Sequence, residues 1–191
     1  LMSTVETLKK LRLEISCFSS DCVVCNKDFD KNSVFEYIDL AKAAGVKYIR
    51  ILGDKAAGPT GEIDDNIVIN NIKSVVSYAE NADVILLIET NGVYSDTKRL
   101  CNVITAIESD NVAALWDIHH PYVYNNESAE TTVQNLGAYI KHVHLKDSIV
   151  NNGVVTYKMM GEGTLPIKDF MNALRSVNYE GFFSLEWLKT Y

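Results

Sequence analysis

Short apolar runs alternate with longer segments of helical periodicity along most of this chain. Six of the runs have the length and the composition that are typical of buried β-strands. They cover residues 13–19, 48–52, 84–89, 112–117, 140–145 and 182–186. We therefore expect six strands, separated by connections that are mostly long enough to hold a helix.

The segments between the runs repeat apolar residues at the spacing of one helix face. In the first of them this face holds Val34, Tyr37, Ile38 and Ala41. Gly45 is expected to end that helix, because glycine readily adopts the left-handed conformation found after a helix C-terminus. Further helices are expected at residues 63–81, after a cap at Ser95 or Asp96, near residues 130–136 and after Pro166. The pair Asn152-Gly153 predicts a hairpin turn.

Strands that alternate with helices indicate a parallel sheet, and therefore the α/β class. An open, flavodoxin-like sheet would need a phosphate-binding loop at the point where the strand order reverses. The segment GEGT at residues 161–164 is too weak a candidate for that loop. Ionisable residues at the ends of several strands favour a (β/α)8 TIM barrel, because in a barrel these ends converge on one mouth. We predict such a barrel, as one domain over residues 1–191.

Four of the predicted strands end in a side chain that can bind a metal ion. These residues are Glu89, Asp117, His144 and Glu186. Two glutamates, one aspartate and one histidine form a suitable oxygen and nitrogen ligand set for a divalent cation. A single carboxylate at a strand end could equally cap the next helix or face solvent, but four at matching ends are hard to explain in that way. The sequence predicts one divalent metal site and leaves manganese, zinc, cobalt and magnesium as alternatives.

Strand geometry predicts which other side chains share the face of these four. Residues two positions apart point to the same side of a strand. His142 and Lys146 should therefore point with His144 into the barrel mouth. The residues two positions before the other three are Leu87, Leu115 and Ser184. We expect such layers to fill the barrel below a cap of ionisable groups.

Several neighbouring residues keep two interpretations at this stage. In the segment Asp117-Ile118-His119-His120 either histidine could support a metal ligand or contact a substrate. Lys146 could form a surface ion pair with Asp147 or contact the substrate. Arg50 ends a strand-like run, and a structural ion pair is its expected use.

Composition narrows the classes of protein that this chain can belong to. The formal net charge is −7, from 18 basic and 25 acidic residues, which disfavours binding to a polyanion such as nucleic acid. No apolar stretch approaches the roughly 20 residues of a membrane span, and no signal-peptide pattern opens the chain. Cys22 and Cys25 form a lone CxxC, for which free thiols are a better explanation than a zinc or redox site. We therefore expect a cytoplasmic protein without a nucleic-acid or membrane partner.

Taken in order, several motifs of the chain resemble those of a known family. They are IET, WDIHHPY, HVHLKD, GEGTLPIKDFMNAL and GFFSLEW, and the similarity runs over residues 13–187. This ordered set is similar to the xylose-isomerase-like barrel superfamily. Within it the closest resemblance is to the sugar phosphate isomerase/epimerase group, which includes ketose 3-epimerases, hydroxypyruvate isomerase and inosose dehydratase. The ordered set is far more specific than any one motif.

The resemblance implies roles for the matching residues. The metal ligands that it implies are Glu89, Asp117, His144 and Glu186. The two glutamates would also be the acid/base pair, and His120 would contact the substrate, with Lys146 and His142 beside it. Endonuclease IV shares this barrel but uses additional histidines on earlier strands to hold three zinc ions. This chain has only four histidines and none before Asp117, which argues against a DNA repair enzyme.

The resemblance also predicts that pieces of the barrel lie outside this sequence. A first strand–helix unit is not evident before Leu13, and the last helix should follow Glu186. A complete barrel typically needs about 250 residues. We therefore expect a truncated barrel whose open strand edges are covered by another chain, such as a second copy in a homo-oligomer, by residues 1–11 folded across the gap, or by segments outside this sequence.

These expectations together suggest a metal-dependent isomerase or epimerase acting on a small sugar, a sugar phosphate or a hydroxy-keto acid. A divalent cation would stabilise the enediolate that forms when one glutamate removes the proton next to a carbonyl, and the other glutamate would return it. Two alternatives stay open: a lyase of the inosose-dehydratase type on the same site, and a catalytically inactive barrel that binds metal or sugar.

Overall fold

The computed structural model describes residues 2–186, so that Trp187, the last residue of the matching motifs, lies outside the described residues. One sheet contains the strands β1 (Phe18–Val23), β2 (Tyr48–Leu52), β3 (Ile85–Glu89), β4 (Val112–Asp117), β5 (Ile140–Leu145) and β8 (Phe183–Leu185). A hairpin is formed by β6 (Asp147–Asn151) and β7 (Val154–Lys158). The α-helices are α1 (Met2–Lys10), α2 (Lys31–Ala44), α3 (Asp65–Ala82), α4 (Thr97–Ile107), α5 (His119–Asn125), α6 (Ala129–Leu136) and α7 (Ile167–Ser176).

The six strands of the larger sheet are all parallel and follow the order β1-β2-β3-β4-β5-β8. Each new strand is added beside the preceding one, which is the connectivity of a TIM barrel and differs from the reversed order of an open doubly wound sheet. The sheet is curled into part of a barrel. Within the described residues β1 and β8 each pair on one side only. The predicted α/β barrel class is confirmed.

Local capping signals explain where the helices begin and end. Asp96, one of the two caps considered, is the N-cap of α4 and accepts a hydrogen bond from the Arg99 backbone N–H. Gly45 ends α2 in the left-handed region with φ of 71°, as predicted. In the β6–β7 hairpin Asn152 and Gly153 both have positive φ, which is the requirement of the tight turn that the sequence indicated.

Apolar side chains form two layers on opposite faces of the sheet. The larger one fills the space between the sheet and the helices, where Trp116 packs edge-to-face on Phe170 of α7 with ring centroids 5.8 Å apart. The smaller one lies on the inner face and contains Leu87, Ala113 and Leu115. The predicted inward layer below the ionisable residues is therefore confirmed for β3 and β4.

Two details differ from the sequence-based expectation. The first strand covers Phe18–Val23 rather than residues 13–19, and β2 begins at Tyr48, next to the partner of Phe18, so it offers no partner to residues 13–16. The short helix α5 directly after Asp117 was not predicted, since its seven residues are too few to show a helical period.

None of the helices within residues 2–186 has the length and the apolar character that a membrane span requires.

Candidate metal centre

Four strand ends bring the predicted ligands to one place on the sheet. The ligand atoms of Glu89, Asp117, His144 and Glu186 all lie within 4.8 Å of one another. Strand register produces this convergence: Asp117 is the direct neighbour of His144 across β4 and β5, and Glu89 of β3 is level with Leu115 of β4. Glu186 follows β8, where the preceding inward residue, Ser184, is level with His144.

His144 lies between the two glutamates. Its Nδ1 is 3.2 Å from Glu89 Oε1 and 3.5 Å from Glu186 Oε2. Burial alone would lower the pKa of His144, but its contacts with the carboxylates of Glu186 and Glu89 raise it to about 9. A metal ion would take the place of this proton, because a ligating imidazole must be neutral.

Both glutamates are held in the charged form by their neighbours. Burial raises the pKa of Glu89, but the hydrogen bond from His144 and the positive charges around it bring the value down to about 2. One of these charges is Arg50, whose Nη1 lies 2.9 Å from Glu89 Oε2. The structural ion pair expected for Arg50 is therefore confirmed, and its partner is a candidate metal ligand. The pKa of Glu186 is also lowered, against the effect of burial, by His144 and Lys146.

Lys146 is buried inside this cluster of carboxylates. Its Nζ lies 2.6 Å from Asp117 Oδ2 and 2.5 Å from Glu186 Oε2. Burial lowers the pKa of Lys146, but these two negative charges raise it above its ordinary value, so the side chain is a cation. The surface pair between Lys146 and Asp147 is wrong, because both side chains are buried and Lys146 contacts Asp117 and Glu186 instead.

Asp147 has a structural use instead. Its carboxylate is buried and accepts hydrogen bonds from the backbone N–H groups of Ser148, Gly161, Gly163 and Leu165. A side chain at Gly163 would collide with Asp147, since its Cβ would stand 2.0 Å from Oδ1. The GEGT segment thus wraps a buried aspartate beside the hairpin.

The three remaining histidines occupy different positions. His120 Nε2 is 3.6 Å from Asp117 Oδ2 and 3.4 Å from Lys146 Nζ, at the edge of the ligand cluster. His119 turns to the hairpin, where its Nε2 bonds to Ser148 Oγ. His142 lies below His144 and bonds to Ser184 Oγ at 2.8 Å. The structure therefore places His120 and Lys146 at the cluster, and His142 one layer beneath it.

A cavity of about 160 Å³ opens beside the cluster. Its walls include Glu89, His120, Lys146 and Glu186, and also Lys55 and Asn91, which sequence reasoning missed. Asn91 follows the IET motif, and its side chain donates to the backbone carbonyls of Asp54 and Ala56 in the β2–α3 loop. In the sequence, the one signal that could have placed Asn91 beside the cavity was its position two residues after Glu89.

The loop that carries Lys55 is anchored by a buried carboxylate. Asp54 accepts from the backbone N–H groups of Lys55, Thr60 and Val93. Gly92 packs against it so closely that an added Cβ would stand 2.1 Å from Asp54 Oδ2, and its φ of 56° also favours glycine. This anchor keeps one wall of the cavity in place.

The donor set fits a divalent cation. Atoms that coordinate one ion at 2.0–2.2 Å lie at most about 4.4 Å apart, close to the separations found here. Two of the four donors, Asp117 Oδ2 and Glu186 Oε2, are buried oxygens that accept no well-formed hydrogen bond among the described residues, although Lys146 faces both. Buried oxygens without such a bond need a compensating group, and a metal ion is one.

Comparison with known proteins agrees with the geometry. A family model described as the xylose isomerase-like TIM barrel matches residues 3–190. The fructoselysine 3-epimerase of Shigella flexneri is 27% identical over 165 residues, which cover 81% of this chain and 57% of that protein. The chain thus spans a little more than half the length of this relative.

Solved structures of low sequence identity share the fold. The D-allulose 3-epimerase of Methylomonas sp. superposes with a TM-score of 0.78 at 15% identity, covering 98% of this chain and 68% of the other. An IolI protein with a bound zinc atom superposes with the same TM-score at 16% identity, covering 96% of this chain and 72% of the other. Similarity at this level shows the barrel architecture.

Proposed function

Because the chain belongs to the xylose isomerase-like TIM-barrel family, we propose that it is a divalent-metal-dependent isomerase or epimerase of a small sugar, a sugar phosphate or a hydroxy-keto acid. The observation that carries this proposal is the pair of carboxylates, Glu89 and Glu186, that meet at His144 from the two sides of β5. A relative that acts as a fructoselysine 3-epimerase supports a ketose or ketose derivative as the substrate.

The ligands in this proposal are Glu89, Asp117, His144 and Glu186. When bound, a divalent cation would supply positive charge that stabilises the negative charge developing on the substrate's carbonyl oxygen. Zinc in a family structure supports a metal of this kind, and the donor set also suits manganese, cobalt or magnesium.

The two glutamates move the proton. A proton next to a carbonyl is too weakly acidic to leave at neutral pH without a base, and both carboxylates are ionised at that pH because their neighbours lower their pKa values. One glutamate removes the proton and the other returns it. Return to the opposite face of the same carbon is epimerisation, whereas return to the adjacent carbon interconverts an aldose and a ketose.

The cavity beside the cluster holds the substrate in this proposal. His120 and Lys146 line it together with both glutamates, so they can hydrogen-bond to the hydroxyl groups of a sugar. His142 lies one layer lower and is bonded to Ser184, which suits support of His144 better than direct contact with a substrate.

Proton exchange at the carbon next to the carbonyl tests the proposal. The metal-loaded protein is incubated in deuterated water with fructoselysine and with free ketoses, and deuterium incorporation is followed by NMR. Glu89→Gln and Glu186→Gln should each reduce exchange by at least about 100-fold, the low end for acid–base catalysis. Glu36→Gln, on the exposed face of α2, is the matched control and should exchange at the wild-type rate.

Metal content is measured for every variant, because a lost ion would imitate a lost base. Near-normal exchange in a metal-loaded Glu89→Gln or Glu186→Gln protein would remove that residue from the mechanism. Release of water together with exchange would indicate a lyase on the same site. Metal binding with no exchange on any sugar would favour the inactive barrel.

A further inference from the structure

The position of Lys146 carries an inference about how the metal enters this site. The Lys146 ammonium stands between two candidate ligands, 2.6 Å from Asp117 Oδ2 and 2.5 Å from Glu186 Oε2. These are the two oxygens that lack a well-formed hydrogen bond among the described residues. An ion that uses them must compete with the ammonium.

The charges in the cluster show which group opposes the binding of a divalent ion. Three carboxylates in the cluster, those of Glu89, Asp117 and Glu186, face the cations of Arg50 and Lys146 and the ring of His144. Arg50 contacts Glu89 alone and His144 contacts the two glutamates, so Lys146 is the group that joins Asp117 to Glu186. A divalent ion added to this arrangement lies close to a buried positive charge, and like charges repel strongly where water is scarce.

Two cavities beside Lys146 give its ammonium group space to move away from Asp117 and Glu186. Lys146 and Glu186 together line both the cavity of about 160 Å³ and a second one of about 100 Å³ next to Tyr157 of the hairpin. The lysine stem is flexible, so rotation about its side-chain bonds can move Nζ into either space without a change of the backbone.

We propose that Lys146 is a resident counter-cation, which holds Asp117 and Glu186 together in the metal-free protein and is displaced toward the substrate cavity when a divalent ion binds. The proposal rests on the metal site of the proposed function. It gives Lys146 a role between two candidate ligands, and it makes Lys146 available to a substrate only after the metal has entered.

Metal affinity and metal-free stability test the proposal without any measurement of activity. Manganese binding to chelator-treated protein is measured by calorimetry, and unfolding of the metal-free protein by urea. Lys146→Met should bind manganese at least about tenfold more tightly than wild type, because the competing charge is gone. The metal-free variant should unfold at a lower urea concentration, because Asp117 and Glu186 then repel each other.

Three further variants separate the charge of Lys146 from its shape and its position. Lys146→Arg keeps the positive charge and should show no gain in affinity. Lys141→Met removes a charge from the same strand at a position of opposite parity, and should bind manganese within about twofold of wild type. Lys146→Gln repeats the test with a polar side chain in case the methionine variant does not fold without metal.

Each outcome separates this proposal from the proposed function. Equal or weaker manganese binding by both Lys146→Met and Lys146→Gln would overturn the counter-cation role, even if wild type binds metal and exchanges protons. Tighter binding by the variants, together with no turnover of any sugar by the metal-loaded wild-type protein, would support Lys146 as the counter-cation and overturn the enzymatic proposal. If neither wild type nor the variants bind a divalent ion, both proposals fall.

Discussion

Three of the four candidate metal ligands lie on middle strands of the sheet, and the fourth lies at its edge. Glu89, Asp117 and His144 stand on β3, β4 and β5, each of which pairs with a strand on both sides. Glu186 follows the three-residue strand β8, which pairs within the described residues with β5 alone. Burial follows the same division, since the side chain of Glu186 is 33% exposed and that of Asp117 is fully buried.

The difference shows that the four ligands are not equally well positioned by the fold. On the middle strands, backbone pairing and the packed helix layer determine the ligand positions. On the edge strand, contacts to Lys146 and His144 do most of this work, and Phe183 and Leu185 remain exposed. Substitutions at matched positions on the two sides should therefore have unequal effects.

The largest difference is expected in the packing of the strands. Trp116→Ala should lower the free energy of unfolding by about 3–5 kcal/mol, because it empties a fully buried site against Phe170. Leu185→Ala on β8 should cost less than about 1 kcal/mol, since 64% of that side chain is already exposed. Urea unfolding followed by circular dichroism measures both, and equal losses would show that the edge strand is as well packed as the middle.

The ligands themselves should show the next largest difference. Asp117→Asn should reduce stability by about 3 kcal/mol in the metal-free protein, because it leaves the buried Lys146 with one partner fewer. Glu186→Gln should cost about 1 kcal/mol or less, since Glu186 is partly exposed and solvent screens its charge. A larger loss of stability for Glu186→Gln than for Asp117→Asn would contradict the conclusion that the fold positions the ligands of the middle strands better than the ligand at the edge.

A hydrogen bond between His142 of β5 and Ser184 of β8 joins the middle of the sheet to its edge. The stability of the folded protein should depend on pH through this histidine. Burial and the charge of His144 lower the pKa of His142 to about 4, against an ordinary 6.5. The unfolded chain therefore takes up a proton below pH 6.5 that the folded protein does not take up until about pH 4. Stability falls over this window as the pH falls, by about 2 kcal/mol between pH 6.5 and 5.

His142→Gln should remove this part of the acid sensitivity, because glutamine can keep the bond to Ser184 without titrating in this range. Urea unfolding of the metal-free proteins at pH 6.5 and 5 makes the comparison. His119, whose pKa burial also lowers, to about 3, leaves a residual dependence in both proteins. An unchanged loss between the two pH values in the variant would show that His142 is not the group responsible.

The smallest effect is expected on self-association through the edge. An exposed strand edge with apolar side chains can pair with another chain, so we expect a weak homo-oligomer. Leu185→Asp should weaken association at least about tenfold in sedimentation velocity, which corresponds to about 1.4 kcal/mol. Val150→Asp on the hairpin, where the valine is also exposed, is the control. A wild-type protein that stays monomeric at all concentrations would refute this prediction.

The sequence by itself determined the position of every strand of the sheet except the first, and it singled out the four candidate ligands. The strands at residues 48–52, 112–117 and 140–145 agree with the structure at both ends. The two-residue period of a strand was enough to assign Leu87 and Leu115 to the layer below Glu89 and Asp117. The convergence of four strand ends followed from parallel order alone.

Only the tertiary structure decided how the ionisable groups are paired. From the sequence, Lys146 could contact either Asp147 or a substrate. In the fold it contacts Asp117 and Glu186, which lie 29 and 40 positions away along the chain. The fold likewise joins Arg50 to Glu89 and His119 to Ser148. Local periodicity specifies the side of a strand on which a residue lies, whereas the pairing of charges depends on strand register and curvature, which contacts across the whole sheet determine.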